Sequence, residues 1–123
     1  MKFMILLHSN PHFAQRWESL TPEQRARFGV DHLALARDLA DSGELVASEG
    51  LADPALARWV STAEGRAVVA DAPFAETKEH LAGFYLVDVA DAARAEEIAA
   101  RVPDAVWGLV EVRPVLDMSG GDL

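Results

Sequence analysis

Cysteine is absent from the 123 residues. Disulfides and thiolate chemistry are therefore excluded, and the composition fits a reducing cytoplasm, the expected location. Long apolar runs are missing as well. The start, "MKFMILLHSN", holds only residues 3–7 as a continuous apolar stretch, followed by polar residues and Pro11. That is at the lower limit for a signal peptide, and no small-residue cleavage site follows. No segment approaches the length of a membrane span. Positive charge is scarce: 11 basic residues stand against 20 acids, a net charge of −9. Binding a nucleic-acid duplex needs a lysine and arginine stripe that displaces counterions. Direct nucleic-acid binding is not expected; a small molecule or another protein is the expected partner.

Several chemical signatures are also missing. His8, His12, His32 and His80 lack metal-ligand spacing, so no metal is expected. There is no glycine-rich phosphate loop ahead of a helix, and no Gly-x-Ser-x-Gly nucleophile turn. No cofactor is expected.

What is present fits one globular domain. The hydrophobic fraction is 50% and the charged fraction 25%, ordinary values for a soluble protein. A chain of this size buries roughly two-thirds of its unfolded surface, enough for one core. We expect a single domain over residues 1–116 and a flexible tail over 117–123.

The pattern along the chain sets the element order. Residues 3–7 read as a buried strand, and Asn10 with Pro11 caps a short helix or turn. Thr21, Pro22 and Gln24 form a capping-box start. The helix that follows runs to about Asp41 and stops at Gly43; Gly29 weakens it by roughly 1 kcal/mol, with a break near there allowed. Phe28, His32, Leu35, Ala36 and Leu39 share one face of it. "ELVASEGL" reads as a strand, and "ARWVST" and "GRAVVAD" around "AEG" as a hairpin. "LAGFYLVDV" is a strong strand. "DAARAEEIAARV" is a helix capped by Asp91 and ended by Pro103. "AVWGLVEVRPV" is the last strand, with Trp107, Leu109, Glu111 and Arg113 on one face.

Two strand–helix–strand units around an antiparallel sheet predict a ferredoxin-like α+β fold with an inserted β-hairpin. The strands carry apolar residues on both sides, so sheet-to-sheet dimerisation is expected to cover the face without helices.

Among candidate site residues, His32 stands on an apolar stripe, either as a core histidine or as an acid/base group facing a cleft. Histidine's unperturbed pKa of about 6.5 suits proton transfer near neutrality. Asp71, before Ala72 and Pro73, is either a turn aspartate or the group that orients His32. Glu111 and Arg113 place charges on a face expected to be buried. Such charges need partners, so they form an ion pair or an anion site that uses Arg113.

At these residues the chain resembles a known family. "DAPFAETKEHLAGFYLVDV" is similar to the Asp-Gly-Pro-Phe-Ala-Glu-Thr-Lys-Glu signature of the DGPF branch of YCII-related proteins. "GLVEVRPV", "MKFMILL" and "SGELVASEGL" fit the same branch. Ala72 departs from the signature, which has glycine there; alanine disfavours positive φ. The resemblance implies a ferredoxin-like homodimer of the dimeric α+β-barrel kind. It also implies a His-Asp active-site dyad, mapping onto His32 and Asp71.

The resulting expectation is a small cofactor-independent acid/base enzyme of lyase or isomerase type, acting on a small organic substrate. His32 moves the proton, Asp71 orients it, Phe74 walls the pocket, and Arg113 with Glu111 meets the substrate. The alternative is a non-catalytic ligand-binding or regulatory module linked to an extracytoplasmic-function sigma factor.

Overall fold

The computed structural model describes residues 1–71 and 79–119. Its first strand, β1 (Lys2–Ser9), leads into two helices, α1 (Pro11–Ser19) and α2 (Pro22–Asp41). Asn10 caps α1 by accepting from the Phe13 amide at 2.8 Å. At the start of α2 the capping box is complete: Gln24 N donates to Thr21 Oγ1 at 3.1 Å, and Thr21 N donates to Gln24 Oε1 at 2.9 Å. Helix α2 runs unbroken past Gly29. Its end is a Schellman turn: Gly43 adopts a φ of 79°, its amide reaches Ala40 O, and Glu44 N reaches Leu39 O.

Strand β2 (Leu45–Gly50) follows, then β3 (Arg58–Ala63) and β4 (Arg66–Asp71). The last two form a separate two-stranded sheet. Glu64 and Gly65 join them with φ of 52° and 77°, the positive values a tight hairpin turn requires. The chain ends its described core with β5 (His80–Asp88), α3 (Ala92–Arg101), a short 3-10 turn (Pro103–Trp107) and β6 (Val110–Pro114).

The main sheet has the order β2-β5-β1-β6, and every described pair in it is antiparallel. This mixed α+β arrangement is compatible with a ferredoxin-like fold. Helices α2 and α3 cover one face. The core between them and the sheet contains Phe3, Ile5 and Leu7 from β1, Leu35 and Leu39 from α2, Tyr85 and Val87 from β5, and Ile98 from α3. Each such side chain contributes roughly 1.5–3 kcal/mol on burial. Arg94 fastens α3 to the α2–β2 junction through a two-pronged contact with Glu44, at 2.9 and 2.8 Å.

The C-terminal stretch differs from the sequence expectation. Residues 105–107 belong to the 3-10 turn, and Gly108, at a φ of 69°, separates that turn from β6. Trp107 is therefore not on a strand face with Glu111 and Arg113. It packs instead edge-on to Phe13 at 4.9 Å and against Phe28 at 5.8 Å. Among the described residues, no helix is long and apolar enough to cross a membrane.

Candidate active site

The helix stripe that fills the core also aims His32 at the sheet. One turn before it, Phe28 meets its ring edge-on at 4.9 Å. Opposite stands Tyr85 of β5, 3% exposed, whose ring is nearly parallel to the imidazole at 8°. The 3-10 turn after α3 delivers Asp104, 4% exposed.

Both imidazole nitrogens are engaged. His32 Nε2 donates to Asp104 Oδ1 at 2.7 Å. Nδ1 lies 2.6 Å from Tyr85 Oη. The phenol hydroxyl also has the His32 carbonyl oxygen within reach, at 3.3 Å. This gives the hydroxyl two settings. It donates to Nδ1 when the imidazole is neutral. When the imidazole is charged, it accepts from Nδ1–H and donates to the carbonyl. The cluster thus tolerates both protonation states of His32 without moving a heavy atom, which suits a proton carrier. Burial, reinforced by the negative charge of Asp104, pushes the Tyr85 phenol up to about 12.

The cluster opens onto a cavity of about 980 Å³. Phe13, Trp17 and Phe28 form a ring-lined wall, and Ser48, Glu49 and His80 line it from the β2 and β5 strands. Trp17 and Phe28 touch edge to face at 5.2 Å. Among the described residues, no group of three or more His, Cys, Asp or Glu side chains is placed to hold a metal ion.

The other residues singled out in the sequence lie elsewhere. Asp71 ends β4, opposite Arg58 in the hairpin register. Its carboxylate pairs with Arg58 at 3.0 Å, and its side chain is 83% exposed. Within this chain it does not meet His32; the acid that does is Asp104. The physical reason is topological: β4 belongs to the separate hairpin, whereas the turn holding Asp104 packs beneath α2. Phe74 lies outside the described residues. Glu111 and Arg113 stand on the sheet face away from the helices, in register with Leu6 and Met4. Glu111 accepts from His8 at 2.9 Å and from Arg113 at 2.7 Å. These two contacts, His8 first, lower the Glu111 carboxyl below its usual range. Arg113 is therefore paired, and it does not line the cavity.

Asp104 and Tyr85 are the site residues that pattern reading passes over. "VPDAVWG" reads as a helix end, and the one faint signal was an acid set between Val102 and Ala105. Tyr85 is the single tyrosine of the chain, hidden within an apolar strand.

Comparison with known proteins adds lineage to this geometry. A family model described as YCII-related domain matches residues 1–119. An uncharacterised protein of Rhizobium meliloti (strain 1021) is 31% identical over 125 aligned residues, spanning all of this chain and 98% of that protein.

Proposed function

The chain belongs to the YCII-related family, and on that premise we propose that it is a cofactor-independent acid/base enzyme of lyase or isomerase type, acting on a small organic substrate. The observation that carries this reading is the 2.7 Å contact of His32 with the buried Asp104, beside a cavity large enough for such a substrate. Asp104 holds the imidazole in one orientation, with hydrogen on Nε2. Because both ring nitrogens are engaged, Tyr85 is the group that meets the substrate. The substrate's proton passes to Tyr85 Oη as the phenol's own proton passes to His32 Nδ1. One substrate–hydrogen bond and the phenol O–H break; a new O–H and an N–H form. The high pKa of the phenol keeps a free phenolate from accumulating, so the two transfers are coupled.

A screen of small organic compounds for solvent-deuterium exchange or elimination tests this. His32→Ala, Asp104→Ala and Tyr85→Phe are expected to lose turnover, while Asp71→Ala keeps it. Full turnover in His32→Ala would end the acid/base reading. Tight binding without turnover would favour a ligand-holding module instead.

The same proposal includes a cytoplasmic homodimer of the DGPF branch. The branch is carried by the signature that begins at Asp71. The dimer is supported by the second sheet face, where half-buried Met4, Phe84 and Leu86 surround the buried Leu6, and by the hairpin, whose Trp59, Val60 and Val69 are all more than half exposed. A lone two-stranded hairpin is marginally stable, and its apolar side chains favour a covering partner.

A further inference from the structure

We infer that the cavity selects an organic cation, a protonated amine carried on an aromatic or cyclic apolar group. This deepens the acid/base reading and rests on the cavity being the functional site.

Charge is the first observation. Among the described residues that line the cavity there is no lysine and no arginine. Asp104 lies buried among the lining residues, and Glu18 and Asp53 line more exposed parts. Arg25, which sits over Trp17 at 5.7 Å, spends its guanidinium on the carbonyls of Trp17 and Glu18. A carboxylate ligand would lose its hydration next to a buried acid and find no described lysine or arginine to pair with, an unfavourable exchange. An ammonium gains on both counts.

The second observation is the lining itself. Phe13, Trp17 and Phe28 contact one another in one wall. Aromatic faces attract both an apolar ring and a cation.

The test is a matched series of benzylamine, benzyl alcohol and benzoate, titrated into the full-length protein at low salt and followed by amide and ring NMR shifts. Benzylamine is expected to shift Phe28, Tyr85 and Ser48 and to bind at least about tenfold tighter than benzoate. Raising the salt narrows that gap. Asp104→Asn is expected to remove most of the preference. Should that variant fail to fold, Glu18→Gln is expected to weaken benzylamine by about twofold, the size typical of an exposed charge contact. If benzyl alcohol or benzoate binds in the cavity as tightly as benzylamine, the charge inference falls and the acid/base reading stands. If no probe shifts the cavity residues, both fall.

Discussion

His32 Nε2 lies 2.7 Å from Asp104 Oδ1, across 72 positions of sequence. Asp71, by contrast, pairs with Arg58. A double-mutant cycle separates the two acids. His32→Ala and Asp104→Ala are expected to couple by about 0.5–3 kcal/mol in urea unfolding. His32→Ala and Asp71→Ala should add to within about 0.5 kcal/mol. Coupling of His32 to Asp71 alone would reassign the dyad.

Tyr85 is the one tyrosine, so its ionisation can be followed by ultraviolet absorbance without interference. The ordinary value is 10.0 and the folded phenol is pushed up to about 12. A raised value favours the protonated phenol in the folded state. That stability is complete below about pH 10 and is lost as the pH climbs toward 12. The phenolate band is expected near pH 12 in native protein, near 10 in denaturant, and lower in Asp104→Asn than in the native chain. A native midpoint at 10, with circular dichroism unchanged, would refute the burial argument.

Local chemistry made much of the fold legible. The Thr21 and Gln24 side chains, the stop at Gly43 and the hairpin turn at Glu64 and Gly65 are decided by residues a few positions apart, and they formed as the patterns required. The pattern extends the last strand back to Ala105 because "AVWGLV" is apolar throughout. Only the left-handed backbone at Gly108 divides it, and apolar periodicity does not register that break. His32 is conspicuous in the sequence, a titratable ring on an apolar stripe. The pattern offers Asp71 as its partner because an acid just ahead of Ala72-Pro73 announces a turn, but it does not say which direction the carboxylate takes; within this chain the acid at His32 is Asp104. Which acid reaches His32 is settled by where α3 and its following turn pack, a relationship between distant segments that spacing does not encode.

Gly83 of β5 is a packing requirement. A Cβ built there would lie 2.9 Å from the Glu49 carbonyl oxygen, which is backbone in the neighbouring strand. Gly83→Ala is expected to cost about 1–3 kcal/mol as β2 is pushed aside. Gly50→Ala, whose Cβ meets nothing within 4 Å, should stay within about 0.5 kcal/mol. Urea unfolding midpoints for the pair check this; equal midpoints would mean that the β2 edge yields freely.

Glu44 and Arg94 set the acid limit of the α3 attachment. Hydrogen bonds from Arg94, then from Ser42, lower the Glu44 carboxyl from 4.5 to about 2. A depressed carboxyl contributes stability that is full above about pH 5 and is lost as the pH falls from 4.5 toward 2. Arg94→Gln is expected to return the Glu44 titration, read by carboxyl carbon NMR, toward its usual range. The acid-unfolding midpoint should move to higher pH. A midpoint that does not move would show that the pair adds nothing to the acid stability of the fold.

The proposed dimer rests on the second sheet face. Leu86 stands in register with Met4 and Ala47, at the centre of the strands that carry Leu6 and Phe84, on the side without helices. Leu86→Glu leaves the helix-covered core intact, since the residue points away from Ile98 and Leu35. It places a charge where the proposed partner sheet would pack, and an unpaired charge in such an interface is strongly unfavourable. Light scattering after gel filtration is expected to give twice the 13.3 kDa chain mass for the native protein and the single-chain mass for the variant. A second substitution, Val69→Glu on the hairpin, tests whether that arm joins the same contact: dissociation by both variants assigns one continuous interface. Native protein at the single-chain mass would remove the dimer and leave the exposed hairpin to some other occupant.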